Sequence, residues 1–162
     1  MKKLLLIRHA KSDWADPSLR DFDRPLNERG KKDAPLMAEK LLERKIKIDA
    51  FVASPAKRAA KTATIIAEAF GKKKDKIIFE ERLYLAPPDV FREVVQGLDD
   101  DWDTVAIFSH NEGITDYANM LSMVRVDNIP TCGVYAVKAD IKSWKDFEKA
   151  EKGFWFFDYP KL

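Results

Sequence analysis

The stretch LLLIRH, residues 4–9, decides the fold class of this sequence. Its four apolar residues form a short continuous run, which is typical of a strand that is buried on both faces of a parallel sheet. Arg8 and His9 follow this run directly. In sheets of this kind ligands bind at the carboxyl ends of the strands, so the pair marks a candidate site.

Further apolar runs alternate with helical patterns along the chain. Strands are predicted over 49–54, 77–79 and 104–108, and two late strands over 133–137 and 154–157 are expected at a sheet edge. Helices are predicted over 27–45 and 54–70, and after residues 87 and 111. This alternation predicts an α/β fold, a three-layer sandwich with a mostly parallel central sheet flanked by helices.

Three helix starts carry capping residues. Asn27, Ser54 and Asn111 are predicted N-caps, because their side chains can accept from the free N–H groups of a first turn. In the first helix, Pro35 is expected to bend the helix or to divide off its first turn. The buried stripe of that helix is expected at four positions: Leu36, Met37, Leu41 and Leu42.

Length and charge exclude several classes of protein. A chain of 162 residues fits one domain, residues 1–162. Lysine and arginine number 29 and aspartate and glutamate 27, so the net charge of +2 gives no general attraction to nucleic acid or to an anionic membrane. The single cysteine, Cys132, fits a reducing compartment, and the apolar run before Arg8 is too short for a signal peptide or a membrane span. We expect a cytoplasmic monomer.

The sequence contains two histidines, and each follows a predicted strand. His9 ends the first strand, and His110 comes after the strand over 104–108. Arg58 lies within one helical turn of the strand over 49–54. A lone histidine is more often a satisfied structural residue, but two at equivalent strand ends with arginines nearby favour a functional site.

The residue types at these strand ends indicate phosphoryl chemistry. No cluster has metal-ligand spacing, and no glycine-rich nucleotide loop or Gly-x-Ser-x-Gly turn is present, so we expect neither a metal nor a cofactor. Arginine binds phosphate through paired hydrogen bonds, and a neutral imidazole can attack phosphorus. Helix starts at Pro55 and Asn111 would direct N–H groups to the same edge and favour an anion there.

Four motifs resemble those of the histidine phosphatase superfamily, which has the phosphoglycerate mutase-like fold. They are RHAKS at 8–12, DRPLNERG at 23–30, SPAKRAAKTA at 54–63 and SHN at 109–111. The first two are similar to the compact branch of SixA-like phosphohistidine phosphatases. The motifs occur in the family's order along nearly the whole chain.

This resemblance implies a role for each candidate residue. His9 would be the nucleophile that becomes phosphorylated, and Arg8 and Arg58 would bind the phosphoryl oxygens. His110 would donate a hydrogen bond to the group in transfer. Two further substrate-binding candidates are Arg24 and Asn111. For Arg24, a salt bridge to a neighbouring aspartate at position 21 or 23 is an equal alternative.

The sequence departs from the family pattern at two positions. Ala10 stands where the family usually has glycine, which requires a negative φ and space for one methyl group. The glutamate that many members use as a general acid falls on Leu85, two residues after Leu83. Glu80 and Glu81 are the nearest carboxylates, and Glu81 is the candidate proton donor. The loop aspartates are other candidates, but each is more simply interpreted as solvated: Asp13, Asp16, Asp21 and Asp23.

Three functions are compatible with these residues. The first is a phosphatase that forms a phosphohistidine intermediate and acts on phosphohistidine in proteins. The absent general acid favours it, because a phosphoramidate is more labile than an alkyl phosphate ester. The second is a phosphomonoesterase for a small phosphoester metabolite, and the third is a non-catalytic phosphate-binding signalling module. The complete set of two histidines and two arginines argues against the third.

Overall fold

The computed structural model describes all residues, 1–162, and contains one six-stranded sheet. The strands are β1 (Lys2–Arg8), β2 (Ala50–Ala53), β3 (Ile78–Phe79), β4 (Thr104–Ser109), β5 (Val134–Ala139) and β6 (Lys152–Asp158). Their order across the sheet is β3-β2-β4-β1-β5-β6. The first four in that order run parallel, whereas β5 pairs antiparallel with β1 and β6 antiparallel with β5.

Four α-helices cover the two faces of the sheet. They are α1 (Glu28–Glu43), α2 (Lys57–Ala69), α3 (Pro88–Gln96) and α4 (Gly113–Ala118). Leu5 and Ile7 of β1 join the core with α1 and α2, and Leu4 and Leu6 join the core with α3 and α4. Alternate residues of a strand face opposite sides, so the continuous apolar run serves both layers. The predicted three-layer α/β fold is confirmed.

The predicted buried stripe of α1 is confirmed at Met37 and Leu41 but wrong at Leu36 and Leu42, which are 39% and 42% exposed. The stripe is completed at helical spacing by Ala34 and Ala38. The expectation that Pro35 divides off the first turn is wrong, because the helix continues through it from Glu28 to Glu43. Its missing N–H removes a single hydrogen bond, and the packed stripe holds the helix together on either side.

Of the three predicted caps, only Asn27 is confirmed. Its side chain accepts from the Gly30 N–H at 2.8 Å. Helices α2 and α4 begin later than expected, after Ala56 and Glu112, with no side-chain cap. The chain must first turn away from the sheet edge at both places, and the side chains of Ser54 and Asn111 bind other partners.

The segment between β1 and α1 passes over the carboxyl ends of the strands. It contains a single turn of 3-10 helix at Asp21–Asp23, and Ser12 and Leu26 pair at its base. A Cβ at Gly30 would lie 2.3 Å from the Lys11 carbonyl oxygen, so glycine permits α1 to approach the chain just after the candidate site. None of the helices has the length and apolar character required to span a membrane.

Candidate active site

The register of β1 and β4 places the two histidines side by side. These strands are parallel neighbours with Arg8 opposite Ser109, so the next residue of each strand is a histidine. The His9 N–H donates to the Ser109 carbonyl at 3.1 Å, and the two imidazole centroids are 5.2 Å apart. Both side chains are buried: His9 is 7% exposed and His110 1%.

Hydrogen bonds to His9 define which of its nitrogens carries the lone pair. Nδ1 lies 2.7 Å from the Ala10 carbonyl oxygen, which can only accept, so Nδ1 carries the proton. In the neutral ring Nε2 therefore keeps its lone pair, and the Arg58 Nε–H donates to it at 3.4 Å. Burial lowers the pKa of His9 to about 4, and the charges of Arg58 and Arg8 act in the same direction. His9 is a neutral, nucleophilic imidazole near pH 7.

The first turn of α2 is tied to the end of β1. Arg58 lies in that turn and is buried. Thr62, one turn later, donates to the Arg58 carbonyl at 2.8 Å and accepts from the Ala10 N–H at 2.9 Å. Arg8 donates through Nη1 to the Ile129 carbonyl at 3.0 Å, while its buried Nε has no partner. One arginine donor is thus left available inside the site.

The second histidine is held through its Nε2 atom. This atom lies 2.8 Å from Ser54 Oγ, and Ser54 follows β2, which is the neighbour of β4. Ser54 Oγ also accepts from the Ala56 N–H at 3.3 Å, and its hydroxyl proton can be donated to His110 in the tautomer whose Nδ1 carries the proton. The buried Nδ1 of His110 has no partner. Burial lowers the pKa of His110 to about 3, and His9 and Arg58 contribute to the shift.

Asp21 also contacts this cluster, although the sequence suggested a solvated loop residue. Arg58 donates through Nη1 to the Asp21 carbonyl at 2.7 Å and through Nη2 to Asp21 Oδ2 at 2.9 Å. Tyr84 donates its hydroxyl proton to the same Oδ2 at 2.6 Å. Burial alone would raise the pKa of Asp21, but the hydrogen bonds from Tyr84 and Arg58 outweigh it and hold this pKa below its ordinary value.

Tyr84 is a second residue that the sequence did not indicate. Its ring packs edge-on against His110 with the centroids 5.4 Å apart, and Phe22 packs edge-on against its other side at 5.1 Å. Burial and the Asp21 charge raise the pKa of Tyr84, so the hydroxyl stays protonated. The only sequence feature that pointed to Asp21 and Phe22 was the unusual length of their loop.

Comparison with known proteins agrees with this geometry. The family model of the histidine phosphatase superfamily (branch 1) matches residues 4–84. An uncharacterized chloroplastic protein of Arabidopsis thaliana is 30% identical over 163 residues, which cover 95% of this chain and 74% of that protein. The chain belongs to the histidine phosphatase superfamily.

Other relatives of this histidine phosphatase differ in their named activities. Phosphoserine phosphatase 1 of Hydrogenobacter thermophilus is 41% identical over 85 residues, which cover 51% of the chain but 38% of that protein. The solved structure of protein histidine phosphatase SixA complexed with tungstate has a TM-score of 0.82 at 19% identity, covering 98% and 97% of the two chains. SixA from Agrobacterium tumefaciens has a TM-score of 0.81 at 24% identity, covering 98% of each. A mycobacterial glucosyl-3-phosphoglycerate phosphatase has a TM-score of 0.74 at 16% identity, covering 98% and 100%.

Arg24 and Asn111, the other substrate-binding candidates, form no hydrogen bond with the side chains of the two histidines. The expected salt bridge of Arg24 to Asp21 or Asp23 is wrong: its guanidinium lies over the Trp14 ring at 3.9 Å, and Nη1 reaches the Asp16 carbonyl at 3.4 Å. Asp23 pairs instead with Arg20. Asn111 accepts from Thr115 Oγ1 at 2.6 Å and donates to Asn128, so it braces the start of α4 rather than capping it.

The region expected to supply a general acid contains no carboxylate in contact with the site. Glu81 is exposed in the 3-10 turn Glu81–Leu83, and Glu80 is engaged by Arg82 at 2.7 Å. Leu85 is 53% exposed. The expectation for Ala10 is confirmed, since it is fully buried without a positive φ. No group of three His, Cys, Asp or Glu side chains is placed to hold a metal ion.

Proposed function

We propose that this protein hydrolyses phosphohistidine in other proteins through a covalent phosphohistidine intermediate at His9. One observation carries the proposal: His9 Nε2 keeps the lone pair of the neutral ring, in a site that also contains buried side-chain nitrogens without hydrogen-bond partners. These are Arg8 Nε and His110 Nδ1, with Arg58 Nε directed at the nucleophile itself. Buried unpaired donors are rare, and three oxygens of a phosphoryl group are the acceptors that suit this set.

The reaction follows from these contacts in two steps. Nε2 of His9 attacks phosphorus, the phosphorus–nitrogen bond of the substrate breaks, and the departing imidazole takes up a proton from solvent. Arg8, Arg58 and His110 hold the phosphoryl oxygens as charge redistributes. Water then attacks the phosphorus on His9, the bond from phosphorus to Nε2 breaks, and inorganic phosphate leaves. This step restores the neutral imidazole and returns one proton to solvent.

Support for phosphohistidine as the substrate comes from the acid groups of the site. Asp21 is the carboxylate that contacts the cluster, and its lowered pKa keeps it ionised, so it has no proton to give. General acid catalysis is worth about 10²–10⁴-fold when the leaving group must be protonated. A labile phosphoramidate makes the smallest demand of this kind, whereas the alkoxide of a sugar phosphate makes a large one.

A small phosphoester is the second candidate substrate. It is favoured by the likeness to a protein named phosphoserine phosphatase and to the fold of a glucosyl-3-phosphoglycerate phosphatase. Against it, the candidate proton donor Glu81 is exposed, and the position where the family's glutamate is expected is Leu85, which has no proton to give.

The test is to trap the intermediate and compare substrates. Wild type is mixed with a peptide that carries ³²P-phosphohistidine and quenched, and we expect acid-labile label on the protein that is absent in His9→Ala. We also expect kcat/KM for this peptide to exceed that for phosphoserine, and Glu81→Gln to stay within about tenfold of wild type on the peptide. Labelling of His9→Ala, or a preference for phosphoserine, would contradict the proposal.

A further inference from the structure

An open groove of about 700 Å³ adjoins the candidate active site. The 3-10 turn Asp21–Asp23 forms one wall, and α2 forms the other. Phe22 and Lys57 line the groove, and they are the sequence neighbours of Asp21 and Arg58, so the groove lies beside the candidate site. We call it the lysine groove after four of its lining residues: Lys31, Lys57, Lys61 and Lys74.

The charge of this groove is largely uncompensated. Lys57, Lys61 and Lys74 form no ion pair, and the exposed contact of Lys31 with Glu28 is 3.5 Å long. The lining contains two carboxylates, and one of them, Asp23, is already neutralised by Arg20 at 2.9 Å. A local excess of positive charge therefore stands beside the site in a chain whose net charge is only +2.

The spacing of two of these lysines presents them together. Lys57 and Lys61 are four residues apart on α2, so their side chains lie on the same exposed face. Lysine is a flexible, hydrated point charge, which suits exposed carboxylates on a partner. Such charges attract an acidic partner over a distance and orient its approach.

We propose that the lysine groove binds acidic side chains that flank the phosphohistidine on the substrate protein. This inference rests on the proposed function. His9 and His110 are almost fully buried, so a phosphorylated side chain must enter a recess to reach them. The residues that flank the phosphohistidine then remain at the mouth of the site, and the lysine groove forms one wall of that mouth.

Two peptides test this proposal, each with one phosphohistidine, one flanked by glutamates and the other by glutamines. For wild type we expect kcat/KM to be about tenfold higher for the glutamate peptide at low salt, a difference of about 1.4 kcal/mol. The preference should shrink as salt rises, because screening acts over about 10 Å at 0.1 M. In the double variant Lys57→Glu and Lys61→Glu, the ratio should fall to one or below.

The matched control is Lys142→Glu. Lys142 is exposed and follows β5. The end of β5, Ala139, pairs with Lys2 at the start of β1, so Lys142 lies at the end of the sheet opposite the candidate site. It should keep the wild-type ratio. Equal rates of wild type on both peptides, or a ratio unchanged in the double variant, would overturn the docking proposal alone. If wild type hydrolyses neither peptide but does hydrolyse phosphoserine, the proposed function itself fails.

Discussion

Asp21 and Arg58 are joined by two hydrogen bonds, one from each terminal nitrogen of the guanidinium. The Nη2 atom donates to the carboxylate at 2.9 Å and Nη1 donates to the Asp21 carbonyl at 2.7 Å. The third nitrogen, Nε, is then directed at His9 Nε2. We infer that Asp21 orients the arginine beside His9, the proposed nucleophile, and so acts as a positioning residue.

Removing the Asp21 carboxylate should impair catalysis without unfolding the protein. A hydrogen bond to a charged group contributes about 1.5–3 kcal/mol, so Asp21→Ala should lower kcat/KM on the phosphohistidine peptide about 10- to 100-fold. Asp21→Asn keeps an acceptor oxygen and should recover part of that loss. The matched control is Asp16→Ala in the same loop, whose exposed carboxylate accepts from Ser18. An equal loss in the Asp16 variant would contradict the positioning role.

The two arginines should be far more sensitive than other arginines of the chain. We expect Arg8→Ala and Arg58→Ala each to lower kcat/KM by about 10²–10³-fold, because the phosphoryl dianion then loses one of its two charged donors. Arg82→Ala should have little effect, since Arg82 is an exposed partner of Glu80 and Glu93. Steady-state kinetics on one phosphohistidine peptide measures all three variants. A loss below about threefold in Arg58→Ala would remove it from the mechanism.

The nucleophile should stay active in mildly acidic solution. His9 attacks as the neutral imidazole, and burial with the two arginine charges lowers its pKa to about 4. The fraction of neutral His9 should hence remain high from neutrality down to about pH 5 and fall as the pH passes through about 4. Because the chain has two histidines, an NMR titration of the ring signals, assigned with His110→Asn, measures this pKa directly. A titration near 6.5 would contradict the prediction.

The same shift makes the folded state less stable in acid. The unfolded chain protonates His9 near pH 6.5, but the folded chain does so only at about 4, so between these values the unfolded state binds more protons. The free energy of unfolding should fall as the pH is lowered through this window, by about 3 kcal/mol for His9. Urea unfolding at several pH values measures it. His9→Gln should reduce the dependence to the part that His110 contributes, and an unchanged slope in that variant would refute this assignment.

Close packing behind His110 gives a prediction about stability. A Cβ at Gly113 would lie 1.7 Å from the Ala86 carbonyl oxygen, which belongs to the backbone and cannot move away alone. Gly113→Ala should lower the free energy of unfolding by about 1–3 kcal/mol or more. At Gly97 the nearest atom is 3.5 Å from the added Cβ, so Gly97→Ala is the control. Equal urea midpoints for the two variants would contradict this prediction, because the loop at Ala86 would then move enough to admit the methyl group.

Residues at strand ends could be predicted from the sequence, whereas contacts made by loops could not. His9, Arg58 and His110 were indicated because a buried run fixes where its strand ends, and parallel strands end at the same edge. The contacts of Asp21 with Arg58 and Tyr84 depend on the path of a long loop, and no local pattern specifies that path. Local helix propensity predicted Ser54 as an N-cap, but its hydroxyl forms a hydrogen bond with His110 instead. His110 follows a different strand, so this partner could not be predicted from the local sequence.

The parallel pairing of β1 with β4 has a consequence for how activity arises during folding. His9 lies near the start of the chain and His110 in its second half, so under the proposed mechanism closing the loop between them precedes turnover. The segment matched by the family model, residues 4–84, contains His9 and Arg58 but stops short of His110. We therefore expect no local folding unit of the chain to be active by itself. Hydrolysis should return, after dilution from urea, only when the whole sheet has formed. The rate at which activity returns therefore measures the formation of long-range strand pairs such as β1 with β4.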